Sequence, residues 1–387
     1  MQSQRRSECT SRGSFPSRRS RRRPASARAR CTEASRTGPT SRCPADGRRY
    51  NVGARTGGKM ARVDIGMRAR KPMLTVDEQI EHLKSRGVKF ELYSEDAAAS
   101  YLEHANNYLR VAAYRKLYSR QVDGASSGSY VNLDFEDLVE LSSIDRRLRE
   151  ALLAAAIDVE HFARIELLRR CGEHSEDGYS IVADYLESVS PSQRFRIEGA
   201  LDARGGSGRA HDEYSGDLIA HYAGAYPIWV FLEVVEFGVL VDLWRYCSGR
   251  WGEQSMRDEH YVLKSVKALR NACAHNSLIV NGFTSAAANA SYQVSRSIAI
   301  SLAENGMPKT KSRRAKLKNL RVAQIAATLY SVNAFCELDT TRVRHARRMG
   351  DVRSYAEGCG VLSRANDGIV SFFDFVWKMV DIWLSVE

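Results

Sequence analysis

The sequence predicts an all-α fold, and three observations predict it. From Lys71 onward apolar residues recur at three- and four-residue spacing. Helix-start signals precede several of these stripes. No run shows the two-residue alternation of a strand, and no repeat period is visible. At 43% hydrophobic and 27% charged residues over 387 positions, the chain can bury a sizeable core.

Taken in order, Thr75-Val76-Asp77-Glu78 is a capping box, and Val76, Ile80 and Leu83 form a stripe that stops at Gly87. A second helix is expected from about Ser94 to Tyr118, with Tyr101, Ala105, Tyr108 and Ala112 on one face. The Gly/Ser-rich stretch Asp123–Ser129 is a connection. A long helix follows over about Asp134–Arg170, closed by Gly172; its core face carries Leu138, Leu141, Leu148, Leu152, Ile157 and Phe162. Glu160 and Arg164 lie on it as an i,i+4 pair. Shorter helices are expected around Ile181–Ser188 and Ser192–Ala203, then a polar loop over Arg204–Ser215. Pro227 suits the first turn of a helix reaching about Cys247, and another helix runs from near Asp258 to His275. Beyond it lie two basic segments, Lys309–Arg321 and Arg342–Arg353, and a final Phe/Trp-rich helix over Val370–Leu384.

The formal net charge of +12 invites a nucleic-acid reading, but its location matters. Residues 1–59 hold 16 Lys+Arg against Glu8, Glu33 and Asp46, which leaves 42 basic against 43 acidic residues in 60–387. The excess therefore belongs to an Arg/Ser-rich tail over residues 1–70 with too few apolar side chains to fold. The tail reads as an RNA-contacting arm, as a transit peptide, or as a start taken too early. Gly57-Gly58-Lys59 before Met60 favours the last, with Met60 as the true start. Eight cysteines without a CxxC pair or zinc spacing predict a reduced cytoplasmic protein with no structural metal. The most apolar run, Ile228–Trp244, contains Glu233, Glu236 and Asp242, so no membrane span is expected.

The chemistry-bearing stretch is Leu263–Asn281, which contains Arg270-Asn271-Ala272-Cys273-Ala274-His275. Spacing alone is uninformative: chance predicts about three Arg-x(4–6)-His hits, and three exist, Arg169/His174, Arg204/His211 and Arg270/His275. Of these, the third is expected to be the one within a helix, and Asn271 directly follows its Arg. Helical geometry puts Asn271 and His275 on one face, continued by Lys264 and Lys267, opposite a core stripe of Val262, Val266, Leu269 and Cys273. Those are the groups that metal-free RNA cleavage uses. Imidazole moves protons near neutral pH, and guanidinium binds phosphate. One imidazole cannot serve both ends of an in-line displacement, so one motif per chain implies a homodimer. The bland alternative is that Asn271 and His275 merely end a helix.

Four blocks give this chain a family resemblance. They are Lys71-Pro72 with Leu74-Thr75, Gln79-Ile80, Leu83 and Arg86-Gly87; Asn107-Tyr108-Leu109-Arg110 with Tyr114; Ile144-Asp145-Arg146-Arg147-Leu148-Arg149 with Glu160 and Arg164; and Ile228-Trp229, Glu233 and Phe237-Gly238 ahead of Arg270–His275. In order and spacing, over Lys71–Asn281, they resemble the Abi-like (AbiD/AbiF) abortive-infection family of the HEPN superfamily. The resemblance implies a HEPN-type helical bundle over residues 71–290, with additional C-terminal helices over 291–387. It also implies dimerisation and RNA cleavage by Arg270, Asn271 and His275 without a cofactor, restrained by a regulatory RNA or antitoxin. Glu160, Arg164 and Asn281 would support the site, and Lys264, Lys267, Lys311, Arg313 and Arg314 would bind RNA. One departure stands out: Leu278 occupies the place where family members usually carry an Arg. The other function consistent with the sequence is a non-catalytic protein that binds RNA or a partner.

Overall fold

The computed structural model describes residues 72–202, 211–289, 291–364 and 367–385. The Arg/Ser-rich tail and Arg204 lie outside these residues. The all-α expectation holds. Helix α1 (Val76–Lys84) starts at the Thr75 capping box and buries Ile80 and Leu83. Gly87, at φ +82°, then turns the chain. The one sheet among the described residues is minimal: β1 (Val88–Lys89) pairs in parallel with β2 (Leu133–Asp134), Val88 opposite Leu133.

The second expected helix is broken. Helix α2 (Glu95–His104) ends near Ala105, and Asn107 opens α3 (Tyr108–Ala112) by accepting the Leu109 amide at 2.8 Å. A 3₁₀ turn over Ala113–Leu117 follows.

Helix α4 (Phe135–Glu173) is the spine, 39 residues long, or about 58 Å at the α-helical rise. Asp134 caps it and also accepts the Glu91 amide at 2.9 Å, tying the small sheet to the helix start. Leu138, Leu141, Leu148 and Leu152 are fully buried as expected, but Ile157 is 49% exposed. Over 39 residues the buried stripe drifts round the helix, so a face read near one end does not persist to the other. Gly172 does not close α4, because glycine lowers helix stability without ending it.

Helices α5 (Ser180–Ser188), α6 (Pro191–Ala200) and α7 (Gly216–His221) follow. The single helix expected after Pro227 is two, α8 (Ile228–Val234) and α9 (Phe237–Trp251), separated by extended backbone at Val235. Helix α10 (Gln254–Ala274) begins four residues earlier than expected. C-terminal to it come α11 (Arg296–Glu304), α12 (Lys311–Leu317), α13 (Leu320–Phe335), α14 (Asp339–Gly358), α15 (Gly360–Arg364) and α16 (Asp367–Trp383).

Helix α13 is buried on nearly every side, from Val322 through Val332, and packs against both α4 and α10. That all-round apolar surface is the mark of a central helix. Helix α10 also packs on α4 and α9, α14 lies on α4, and α16 covers α13. The spine, α9 and α13 thus hold α10, the motif-bearing helix, along its length.

Candidate active site

Helix α10 is amphipathic in the expected sense. Val262, Val266, Leu269 and Cys273 are buried, whereas Lys264, Asn271 and His275 are exposed. Burial pushes the Cys273 thiol up to about 12, so it stays protonated and packs as an apolar group. Lys267 differs from expectation. It is half-buried over Gly238 of α9, where a Cβ would stand 3.6 Å from its Nζ.

His275 is the C-cap residue of α10, and Asn276 follows at φ +57°. The Ser277 amide donates to the Ala272 carbonyl at 2.8 Å and the Asn276 amide to the Cys273 carbonyl at 3.0 Å. This is a Schellman turn with Asn in the left-handed position. Arg110 of α3 clamps it from outside, donating from Nη1 to the Asn276 carbonyl at 2.7 Å.

The chain beyond the turn hangs on a buried carboxylate. Asp145 of α4 accepts the Ile279 amide at 2.7 Å and the Val280 amide at 2.5 Å, and pairs with Arg149 one turn along. Burial raises the Asp145 carboxyl above its ordinary value, against the pull of the Val280 amide, Arg149 and the Ile279 amide. On the other side Arg321 of α13 donates to the Leu278 and Ile279 carbonyls at 2.9 and 3.0 Å and bonds Asn281. A Cβ on Gly282 would collide with that guanidinium, so any side chain there would displace Arg321 from these bonds. Asn281 therefore has a scaffolding contact, and Leu278 is held through its carbonyl. These bonds fix where His275 stands.

Arg270 is positioned from α4. Its Nε lies 3.5 Å from Glu160 Oε2, while Glu160 Oε1 accepts Arg164 Nη2 at 2.8 Å. Arg164 reaches on to the Val235 carbonyl at 3.3 Å, in the break between α8 and α9. Glu160 is buried, so this is a bridge between two arginines rather than a surface ion pair. Arg270 also donates from Nη1 to Asn271 Oδ1 at 3.2 Å. Its Nη2 and the His275 ring have no partner among the described residues. The arrangement offers a braced guanidinium edge and an open imidazole on the same helix end, with Asn271 between them.

The first Arg-x(4–6)-His hit corrects the sequence reading. His174 is likewise the C-cap of its helix and Ser175 follows at φ +55°, so Arg169/His174 lies in the same helix-end setting as Arg270/His275. Being helical does not single out the second pair. What differs is its neighbours, which no spacing rule reports.

Among the described residues no cluster of three or more His, Cys, Asp or Glu is arranged to hold a metal ion. No helix among them is long and apolar enough to cross a membrane. Of the five cations expected to meet RNA, Lys264, Arg313 and Arg314 line two adjoining cavities. Lys267 sits on the flank of α9, and Lys311 is exposed at the start of α12. Sequence reasoning assigned no role to Arg110, Asp145, Arg149 or Arg321. The available signal was Asp145 and Arg149 at i,i+4, each directly following an apolar core residue, Ile144 and Leu148.

Residues 100–281 match the family of Abi-like proteins. The Abi-like segment opens on α2 and closes at Asn281, so it contains Arg110, Asp145, Arg149, Glu160, Arg164 and the whole Arg270–His275 motif. Helix α1 with its expected family block, Arg321 and the basic helix α12 fall outside it. The match suggests a function in abortive infection. Neither a curated protein nor a solved structure matches the chain.

Proposed function

We propose that this chain is a HEPN-superfamily endoribonuclease of antiphage abortive infection that cleaves RNA without a metal, in the cytoplasm, as a homodimer. The observation that supports the proposal is that Arg270 keeps an unpartnered edge and His275 an unpartnered ring at the same end of α10 among the described residues. Arg270 is braced by Glu160, which Arg164 holds in turn, and among the described residues no carboxylate pairs with His275.

The chemistry is a transesterification. His275 of one protomer takes the proton from an RNA 2′-hydroxyl, whose oxygen bonds to the adjacent phosphorus. Arg270 stabilises the charge gathering on the phosphorane oxygens. The P–O5′ bond breaks, and His275 of a second copy donates the proton to the departing oxygen. The products carry a 2′,3′-cyclic phosphate and a 5′-hydroxyl. Asn271, bonded to Arg270, is a positioning residue that also faces the substrate. Ala268 and Ala274 are small and exposed on this side of α10, which lets another backbone approach. In an uninfected cell a regulatory RNA or an antitoxin would restrain the protein.

Leu278 favours a second reading, a non-catalytic protein that binds RNA or a partner through the same surface. Expressing wild-type and His275→Ala proteins separates the two. Under the nuclease reading the variant folds and dimerises but loses RNA cleavage and toxicity by at least ~10²-fold. Phage protection and toxicity indifferent to that substitution would refute catalysis and leave the binding reading.

A further inference from the structure

Two open cavities of about 740 and 380 Å³ adjoin beside α10, sharing Tyr292, Gln293, Val294, Ala299 and Lys309. The larger runs along the exposed face of α10, past Tyr261, Lys264 and Ala268. The smaller ends between α11 and α12 on an apolar floor of Leu302, Met307 and Phe375. Six cations line the pair: Lys264, Arg296, Lys309, Arg313, Arg314 and Lys318. None of the six has an ion-pair partner among the described residues. Asp258 is the sole acid in the lining, and its Oδ2 accepts from Ser295 Oγ at 2.7 Å and the Ser297 amide at 3.1 Å.

This concentration stands out within residues 60–387, where 42 basic residues in all meet 43 acidic ones. The other basic segment shows the usual fate of such charges. On α14, Arg342 pairs with Asp339, Arg344 with Asp158, and Arg353 with Glu357 and Asp381, which leaves Arg347 and Arg348 as the exposed pair without an ion-pair partner there among the described residues. Unpaired cations around an apolar, aromatic-edged floor suit a polyanion whose units also carry flat apolar faces.

We infer that the two cavities form one binding track for single-stranded RNA, feeding the Arg270–His275 end of α10. The inference rests on the nuclease reading for its direction, though not for its charge argument. Phosphates lie along the cations, and bases stack on Tyr292 and Tyr261 or enter the smaller cavity. The track joins the site because Tyr261, Lys264, Ala268, Asn271 and His275 follow one another at helical spacing on one exposed face. From Lys264 to His275 is about 16 Å along the axis, within reach of a few nucleotides of an extended strand.

The test compares two adjacent arginine pairs, Arg313→Ala/Arg314→Ala in the track and Arg347→Ala/Arg348→Ala on α14. Both are made in full-length His275→Ala protein, so that RNA is bound and not cut. The probe is a fluorescein-labelled single-stranded RNA of about 16 nucleotides, followed by anisotropy over a salt series, with thermal melting to verify folding. The track variant should bind at least ~10-fold more weakly, with a log–log salt slope smaller by about 1.4; the α14 variant should stay within about twofold of the parent. Tyr292→Ala should weaken binding about fivefold while leaving the salt slope alone. Unchanged binding by the track variant, or an equal loss in both arginine variants, would overturn the track. Binding through the track by a wild-type protein that cuts no RNA would sink the nuclease reading alone.

Discussion

Among the described residues two helix ends carry the same local device, and only one of the two is open. Arg169/His174 and Arg270/His275 share their spacing, and each ends a helix with histidine as C-cap, followed by a left-handed residue. At the end of α4, Arg169 is held by Glu166 and Glu173, and His174 meets Glu253 at 2.6 Å while stacking on Trp251. Arg170 beside them binds Glu166 and Glu259. Every cation in that corner already has its anion. At the end of α10 one carboxylate, Glu160, braces the back of Arg270, and the front stays free. A phosphate can approach the second pair, whereas at the first it would be repelled by fixed carboxylates. What sets the candidate site apart is the anion that is missing, which neither the spacing nor the backbone encodes.

The comparison can be broken hardest at its foundation. Asp145→Ala removes the anchor of the loop behind His275 and strands Arg149 in the core, and should cost about 3–5 kcal/mol by chemical denaturation. A loss under 1 kcal/mol would mean that the loop is held mainly by Arg321 and Arg110.

Next in size is the paired histidine test. His275→Ala should lower RNA cleavage by at least ~10²-fold and His174→Ala by less than about twofold; comparable losses would erase the distinction between the two ends.

The third test converts one end into the other. Ala274 is exposed beside His275, and Ala274→Asp supplies the carboxylate that the open site lacks. RNA affinity and cleavage should fall at least about tenfold, while Glu173→Gln/Glu253→Gln should not create cleavage at the α4 end. Undiminished cleavage by Ala274→Asp would show that electrostatic openness is irrelevant.

The smallest effects belong to the closed pair. Arg169 is half exposed, so Arg169→Ala should cost no more than about 1 kcal/mol. Burial alone would raise the Glu166 carboxyl, but hydrogen bonds from Arg169 and Arg170 together outweigh it and hold it below its ordinary value. A folded-state value below the unfolded one contributes stability that is present above the unfolded value and lost as pH falls through the folded one. Stability should therefore drop on acidification from about pH 5 to about pH 3, and less steeply in Glu166→Gln. Parallel pH profiles for the two proteins would contradict this.

Much of this was legible in the sequence, and the gaps have physical causes. The capping box of α1, the apolar stripe of α4 and the two faces of α10 were readable because each is local and periodic. The break after α2 was not, since Ala105 and Tyr108 continue an acceptable helical face and the Asn107 cap is visible only through its bond to Leu109. Nor was the break at Val235, which has neither Gly nor Pro to mark it. Gly172 misled in the other direction, as a glycine that the packed end of α4 simply carries. For the site, Arg270, Asn271 and His275 could be picked out, but Glu160 was legible only as an i,i+4 partner of Arg164. Its second oxygen, which faces Arg270, joins residues far apart in the chain. Arg321 arrives from further still, on a helix beyond the Abi-like segment.

The account stands most directly on the ends left in cut RNA. Purified protein should be incubated with single-stranded RNA in EDTA, and the new termini compared for wild type, His275→Ala and His174→Ala. The account predicts 2′,3′-cyclic phosphate and 5′-hydroxyl ends from wild type and His174→Ala, and none from His275→Ala. Cleavage abolished by EDTA, or persisting in His275→Ala, would contradict it.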